Sequence, residues 1–206
     1  QVVQKEKSLI PLPFEISEDT KRSLSECFKY WKGKTTSELA TSYMTDEAKL
    51  AIDHGMFTPG NYFYNGIGHV TVDYPKVLAV GYEGIIKEAK DELSKISFGD
   101  ADYSKRKHFL DAVILSCEAV ILFAERYANL AEYMAKSAQD IKRKRELETI
   151  SVNCRRVPRR GAESFYEACQ SFWFIQMLLQ VESSGHSISP GRFDQYMYPY
   201  YKKDLE

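Results

Sequence analysis

The stretch AESFYEACQSFWFIQMLLQVESSGHSISPGRFDQYMYPYY, residues 162–201, decides how the chain is read. Its first half predicts a helix from about Ala162 to Glu182. Phe165, Tyr166, Phe172, Trp173, Phe174, Ile175, Met177, Leu178, Leu179 and Val181 make that helix apolar on most sides. A helix of this kind belongs in the interior of a large protein. Its second half holds a Gly-containing turn, Ser183–Gly191, and then a helix from about Arg192 carrying Tyr196, Tyr198, Tyr200 and Tyr201.

Upstream, the pattern is again helical. Residues 1–16 read as extended, because Pro11 and Pro13 oppose helix. Ser17 is an N-cap with Glu18 and Asp19 in the first turn, and the helix runs to about Trp31 before Gly33. A short helix spans Asp46–His54 and ends at Gly55. Met56–Asp73 reads as a shaped, buried loop. Asp73 caps a helix whose first positions are Tyr74 and Pro75, with Leu78, Tyr82, Ile85, Ala89, Leu93 and Ile96 on one face. A long helix covers Tyr103–Gln139, apolar nearly all round between Phe109 and Ala124. Lys142–Arg145 reads as a basic turn, followed by a short helix to Cys154 and a charged connection, Arg155–Arg160. Two all-round apolar helices exceed what 206 residues can enclose, so more protein is expected around them.

Composition narrows the function. Lys plus Arg is 28 and Asp plus Glu is 29, a net charge of −1, which opposes a general nucleic-acid or anionic-membrane binder. Asp111, Glu118 and Gln176 interrupt the apolar runs short of the ~20 residues of a membrane span. Four scattered cysteines without a CxxC suit a reducing, cytoplasmic setting.

Among the four histidines, His54 and His108 fall on ordinary helix surfaces. His69 and His186 follow glycines in turns that lead into helices, where backbone N–H groups are free, and Ser187 and Ser189 lie beside His186. Local chemistry leaves two readings open: turn residues bonded to carbonyls, or pocket residues. No zinc-ligand spacing, GxSxG elbow or GxGxxG turn is present. Cys117 reads as a buried, inert thiol. Arg155, Arg156, Arg159 and Arg160 read either as a phosphate clamp or as ion pairs within a large protein.

The run ESSGHSISPGRFDQYMYPYY (182–201) resembles the glycyl radical enzymes, the pyruvate formate-lyase-like family, and within them the cobalamin-independent glycerol and propanediol dehydratases. NCRRVP (153–158) and NGIGHV (65–70) leading into Asp73-Tyr74 resemble the same family. The resemblance implies a strand barrel wrapped by helices. Residues 1–206 would then be an N-terminal portion: mainly α, the helical wrapping of the α/β barrel, with at most its first piece.

The resemblance also implies roles. His69 would be a catalytic acid, with His186, Ser187 and Phe193 binding substrate and no metal. Hydroxide leaves poorly, so a proton donor that titrates near neutrality assists dehydration of a 1,2-diol. The family's Gly-Cys-x-Glu loop and radical-glycine motif are not in the 206 residues, so the chain alone is expected to be inactive. No cofactor is expected to bind these residues directly. The glycyl radical would be installed by an activating enzyme using S-adenosylmethionine and an iron–sulfur cluster, and the complete chain would form a homodimer. Polar His and Ser favour a small polyol over choline, whose cation would prefer aromatic walls and a carboxylate. A choline or formate acetyltransferase-like lyase, and a non-catalytic helical binding domain, are the alternatives.

Overall fold

Side-chain caps start six of the eight helices among the described residues. The computed structural model describes residues 16–58, 69–183 and 187–206. By contacts the chain divides into two units, Gln1–Asn65 and Gly66–Glu206. All but the last residue of the expected extended segment 1–16, and most of the 56–73 loop, lie outside the described residues.

In the first unit, α1 (Glu18–Trp31) begins where the Ser17 hydroxyl accepts the Thr20 N–H at 3.2 Å. The helix α2 (Thr36–Ser42) was not expected. A capping box nucleates it: Thr35 accepts the Glu38 N–H, and Glu38 accepts the Thr35 N–H. α3 (Asp46–Asp53) follows Thr45 as its cap and ends before Gly55, whose φ is 69°. None of these three helices has a buried residue, and Phe28, Tyr30, Trp31 and Tyr43 are exposed.

The second unit is built on β1 (Val70–Thr71), α4 (Tyr74–Leu93), α5 (Tyr103–Ser137), α6 (Ile141–Arg156), α7 (Phe165–Glu182), β2 (Ile188–Ser189) and α8 (Phe193–Leu205). α5 and α6 form the largest contact. Ala124, Ala128, Ala131 and Ala135 recur on one face of α5, and their small side chains let α6 approach. The Ser151 hydroxyl reaches across to the Ala128 carbonyl at 2.9 Å. Lys142–Arg145 corrects the expected basic turn, since these residues are the first turn of α6. Asp140 accepts the Lys142 N–H, Glu146 pairs with Arg143, and buried Leu147 holds the turn on α5.

α4 is shorter than expected, ending at Leu93 instead of reaching Ile96. It is also broken at Gly81, where φ is 65° and ψ 179°. The loop after α6 fills the break. Tyr82 N–H bonds the Pro158 carbonyl at 3.0 Å, Glu83 N–H the Arg159 carbonyl at 2.9 Å, and Ala162 N–H the Leu78 carbonyl at 2.8 Å. Three backbone groups at the break thus find partners in the loop.

The arginines at the end of α6 and in this loop are ion-paired. Arg159 bridges Glu83, at 2.9 Å, and Glu125; Arg156 bridges Glu163 and Glu167; Arg155 pairs with Glu132. The phosphate-clamp alternative gives way to internal salt bridges. Phe109, Leu115 and Leu122 on α5 and Trp173 and Val181 on α7 stay exposed in this chain. That is the wide apolar surface expected of helices with more protein around them. Cys117 and Cys154 are buried, and burial pushes both thiols up, that of Cys154 to about 11.

Candidate functional site

The two Gly-His segments lead into strands before they lead into helices. β1 and β2 are two residues each, too short for any alternation to be legible, and they pair in parallel with Val70 opposite Ile188 and Thr71 opposite Ser189. The expectation that both histidines lie in turns immediately preceding a helix is corrected in that a short strand stands within each connection. The cap of α4 is Asp73, whose carboxylate accepts the Lys76 N–H at 3.2 Å, and α8 starts at Arg192 with no side-chain cap bond.

The register puts His69 and Ser187 at matching positions, one residue before the first rung. Both backbones are left-handed, with φ of 60° and 52°. Non-glycine residues adopt this conformation at a cost, and such outliers concentrate at functional sites. His69, Val70, Thr71, Ser187, Ile188 and Ser189 line one open cleft of about 410 Å³. His69 and Ser187 are exposed in this chain. His186 lies outside the described residues.

Phe193 opens α8 and is not among the lining residues of the cleft. It packs edge-on to Phe172, with centroids 5.1 Å apart, and to Tyr196 at 5.8 Å. Tyr196 stacks on Tyr74 at 5.3 Å and donates its hydroxyl to the Pro190 carbonyl at 2.7 Å. Burial pushes the Tyr196 hydroxyl up to about 12, which keeps it a donor at physiological pH. The tyrosines of α8 therefore begin as packing that braces the β2–α8 turn.

Two further residues support the site. Tyr74, fully buried at the start of α4, donates its hydroxyl to the Gln176 side-chain oxygen. The Gln176 amide donates in turn to the Ile188 carbonyl at 3.0 Å. The available signal was an amide set between Ile175 and Met177 in the most apolar stretch of α7, which the sequence reading used only to exclude a membrane span. Among the described residues, no three His, Cys, Asp or Glu side chains could together hold a metal ion, and no helix is long and apolar enough to cross a membrane.

Comparison with known proteins places this geometry. The structure of 1,2-propanediol dehydration in Roseburia inulinivorans matches with 61% identity and a TM-score of 0.77, over 94% of this chain and 24% of that one. The glycerol-bound B12-independent glycerol dehydratase of Clostridium butyricum matches with 57% identity and a TM-score of 0.76, over 92% and 24%. Among curated proteins, the (2S)-3-sulfopropanediol dehydratase of Klebsiella oxytoca is 36% identical over 92% of this chain and 23% of its own length. The chain thus spans about a quarter of the length of these relatives. Its mainly helical structure corresponds to helical wrapping, and the β1–β2 pair to a first piece of barrel. The pyruvate formate lyase-like family model matches residues 2–206, and the chain belongs to that family, the glycyl radical enzymes.

Proposed function

We propose that this chain supplies one wall of the substrate site of a radical lyase that dehydrates a small 1,2-diol such as glycerol or propane-1,2-diol. One observation carries the proposal: His69 and Ser187, both in left-handed backbone, stand side by side at the heads of paired strands and line a common cleft. The 61% and 57% identity to proteins described as acting on 1,2-propanediol and as binding glycerol supports a diol among the family's substrates.

The radical chemistry belongs to residues outside this chain: a glycyl radical, installed by an S-adenosylmethionine and iron–sulfur activating enzyme, would lead to hydrogen removal at C1. His69 would hold a proton against the C2 hydroxyl and deliver it as the C2–O bond breaks, so that water leaves in place of hydroxide. Ser187, with His186, would fix the hydroxyls by hydrogen bonds, since a buried hydroxyl left unpaired costs about 1–3 kcal/mol. The aromatic cluster that includes Phe193 would shape the apolar side beside them. The test is His69→Ala in the complete, activated enzyme. Turnover of glycerol and propane-1,2-diol should fall at least a hundredfold; wild-type turnover would contradict the proposal.

A further inference from the structure

We infer that Gln176 is the positioning residue that sets the spacing between His69 and Ser187. The functional half of this inference rests on the diol-site reading; the structural half does not.

A two-residue parallel pair holds its own register weakly, because so few ladder bonds and side chains specify it. Something outside the ladder must fix β1 against β2. Gln176 is placed to do so from a third element, α7. Its side-chain oxygen accepts from Tyr74, which lies three residues after Thr71 of β1. Its amide donates to the carbonyl of Ile188, the residue that follows Ser187. A carbonyl oxygen can only accept, so the Ile188 bond fixes which end of the amide faces β2 and leaves the oxygen for Tyr74.

Core packing alone does not call for this amide. Gln176 is buried between Ile175 and Met177, and a Met or Leu there would avoid the desolvation of a polar group. The amide is tolerated because both ends are paired, one to each arm of the site. Tyr74 extends the brace through its stacking on Tyr196, which in turn holds the Pro190 carbonyl beyond β2. The β2 segment is thus held at two carbonyls, Ile188 and Pro190, by a frame of Tyr74, Gln176 and the partly buried Tyr196, and β1 joins that frame through the short chain link to Tyr74.

The experiment uses the complete enzyme. A crystal structure of Gln176→Met, which keeps the volume and loses both bonds, should show Ser187 displaced from His69 by more than 0.5 Å (roughly the tolerance of a preorganised site). An unchanged spacing overturns the inference, whatever the substrate. Should Gln176→Met fail to fold, Tyr74→Phe removes one of the two bonds, and the same comparison decides. In the activated enzyme, Gln176→Met should raise KM for glycerol about tenfold or more, with glycyl radical content by electron paramagnetic resonance unchanged. Its loss should shrink to under about threefold when His69 is already Ala, because coupled sites are non-additive. Losses that simply multiply overturn the inference, whereas wild-type turnover by His69→Ala alone overturns the diol-site reading and leaves the crystallographic test standing.

Discussion

His69 and Ser187 occupy the same place on two neighbouring strands, each one residue ahead of the Val70–Ile188 rung and each in a left-handed conformation. Holding two non-glycine residues this way costs free energy that the fold must supply. Ser187→Gly should therefore leave the complete enzyme as stable as wild type or stabilise it by up to about 1 kcal/mol. The same change should raise KM for glycerol. Thermal unfolding and steady-state kinetics on one preparation check both halves, and a destabilised protein with normal KM would contradict the account.

The break in α4 makes a second expectation. A Cβ on Gly161 would lie 2.1 Å from the Ala79 carbonyl oxygen, so the loop after α6 could not stay seated in the break. Gly161→Ala should cost about 2–3 kcal/mol. It should also speed amide exchange at Tyr82 and Glu83, whose N–H groups bond that loop. Gly33→Ala, with φ of 77° but nothing within 4 Å, should cost only about 1 kcal/mol. Equal effects would show that the close approach at Gly161 is not what matters.

Arg159 joins α4 to α5 through Glu83 and Glu125 and is itself less than a third exposed. Arg159→Ala should destabilise by about 1–2 kcal/mol, since it removes the Glu125 pair and leaves Glu83 with only the longer Arg160 pair at 3.5 Å. Arg22→Ala removes a fully surface pair with Asp19 and should change stability by less than about 0.5 kcal/mol. Chemical denaturation of the two variants in parallel measures the contrast.

Burial raises the Cys154 thiol to about 11, above the ~8.5 of an unfolded cysteine. The native state therefore keeps its proton where the unfolded chain has lost it. This contribution to stability is complete below pH ~8.5 and is lost as pH rises toward 11. Alkylation at pH 8 should modify exposed Cys27 quickly and leave Cys117 and Cys154 untouched until the protein is denatured. Rapid native labelling of Cys154, detected by peptide mass spectrometry, would contradict the packing described for α6.

The sequence reading recovered most helices because their start signals are local. Ser17, Asp73 and the cysteine-bearing apolar face of α5 can each be read within a few residues. It missed α2, whose Thr35–Glu38 capping box begins only four residues after the end of α1. It took Lys142–Arg145 for a turn because four basic residues oppose the dipole of a helix N-terminus, and Asp140 and Leu147 outweigh that penalty. Gly81 looked like one more helical position, since the loop that fills its break comes from nearly eighty residues away. The site was legible as chemistry, two Gly-His turns and a neighbouring serine, but not as geometry. That His69 stands beside Ser187 depends on a pairing between strands too short to leave a pattern.

The most direct measurement is a crystal structure of the complete enzyme with propane-1,2-diol bound. The account predicts an imidazole nitrogen of His69 within hydrogen-bond distance of one diol hydroxyl and the Ser187 hydroxyl on the other, with both residues still left-handed. A diol bound away from these two residues would contradict it.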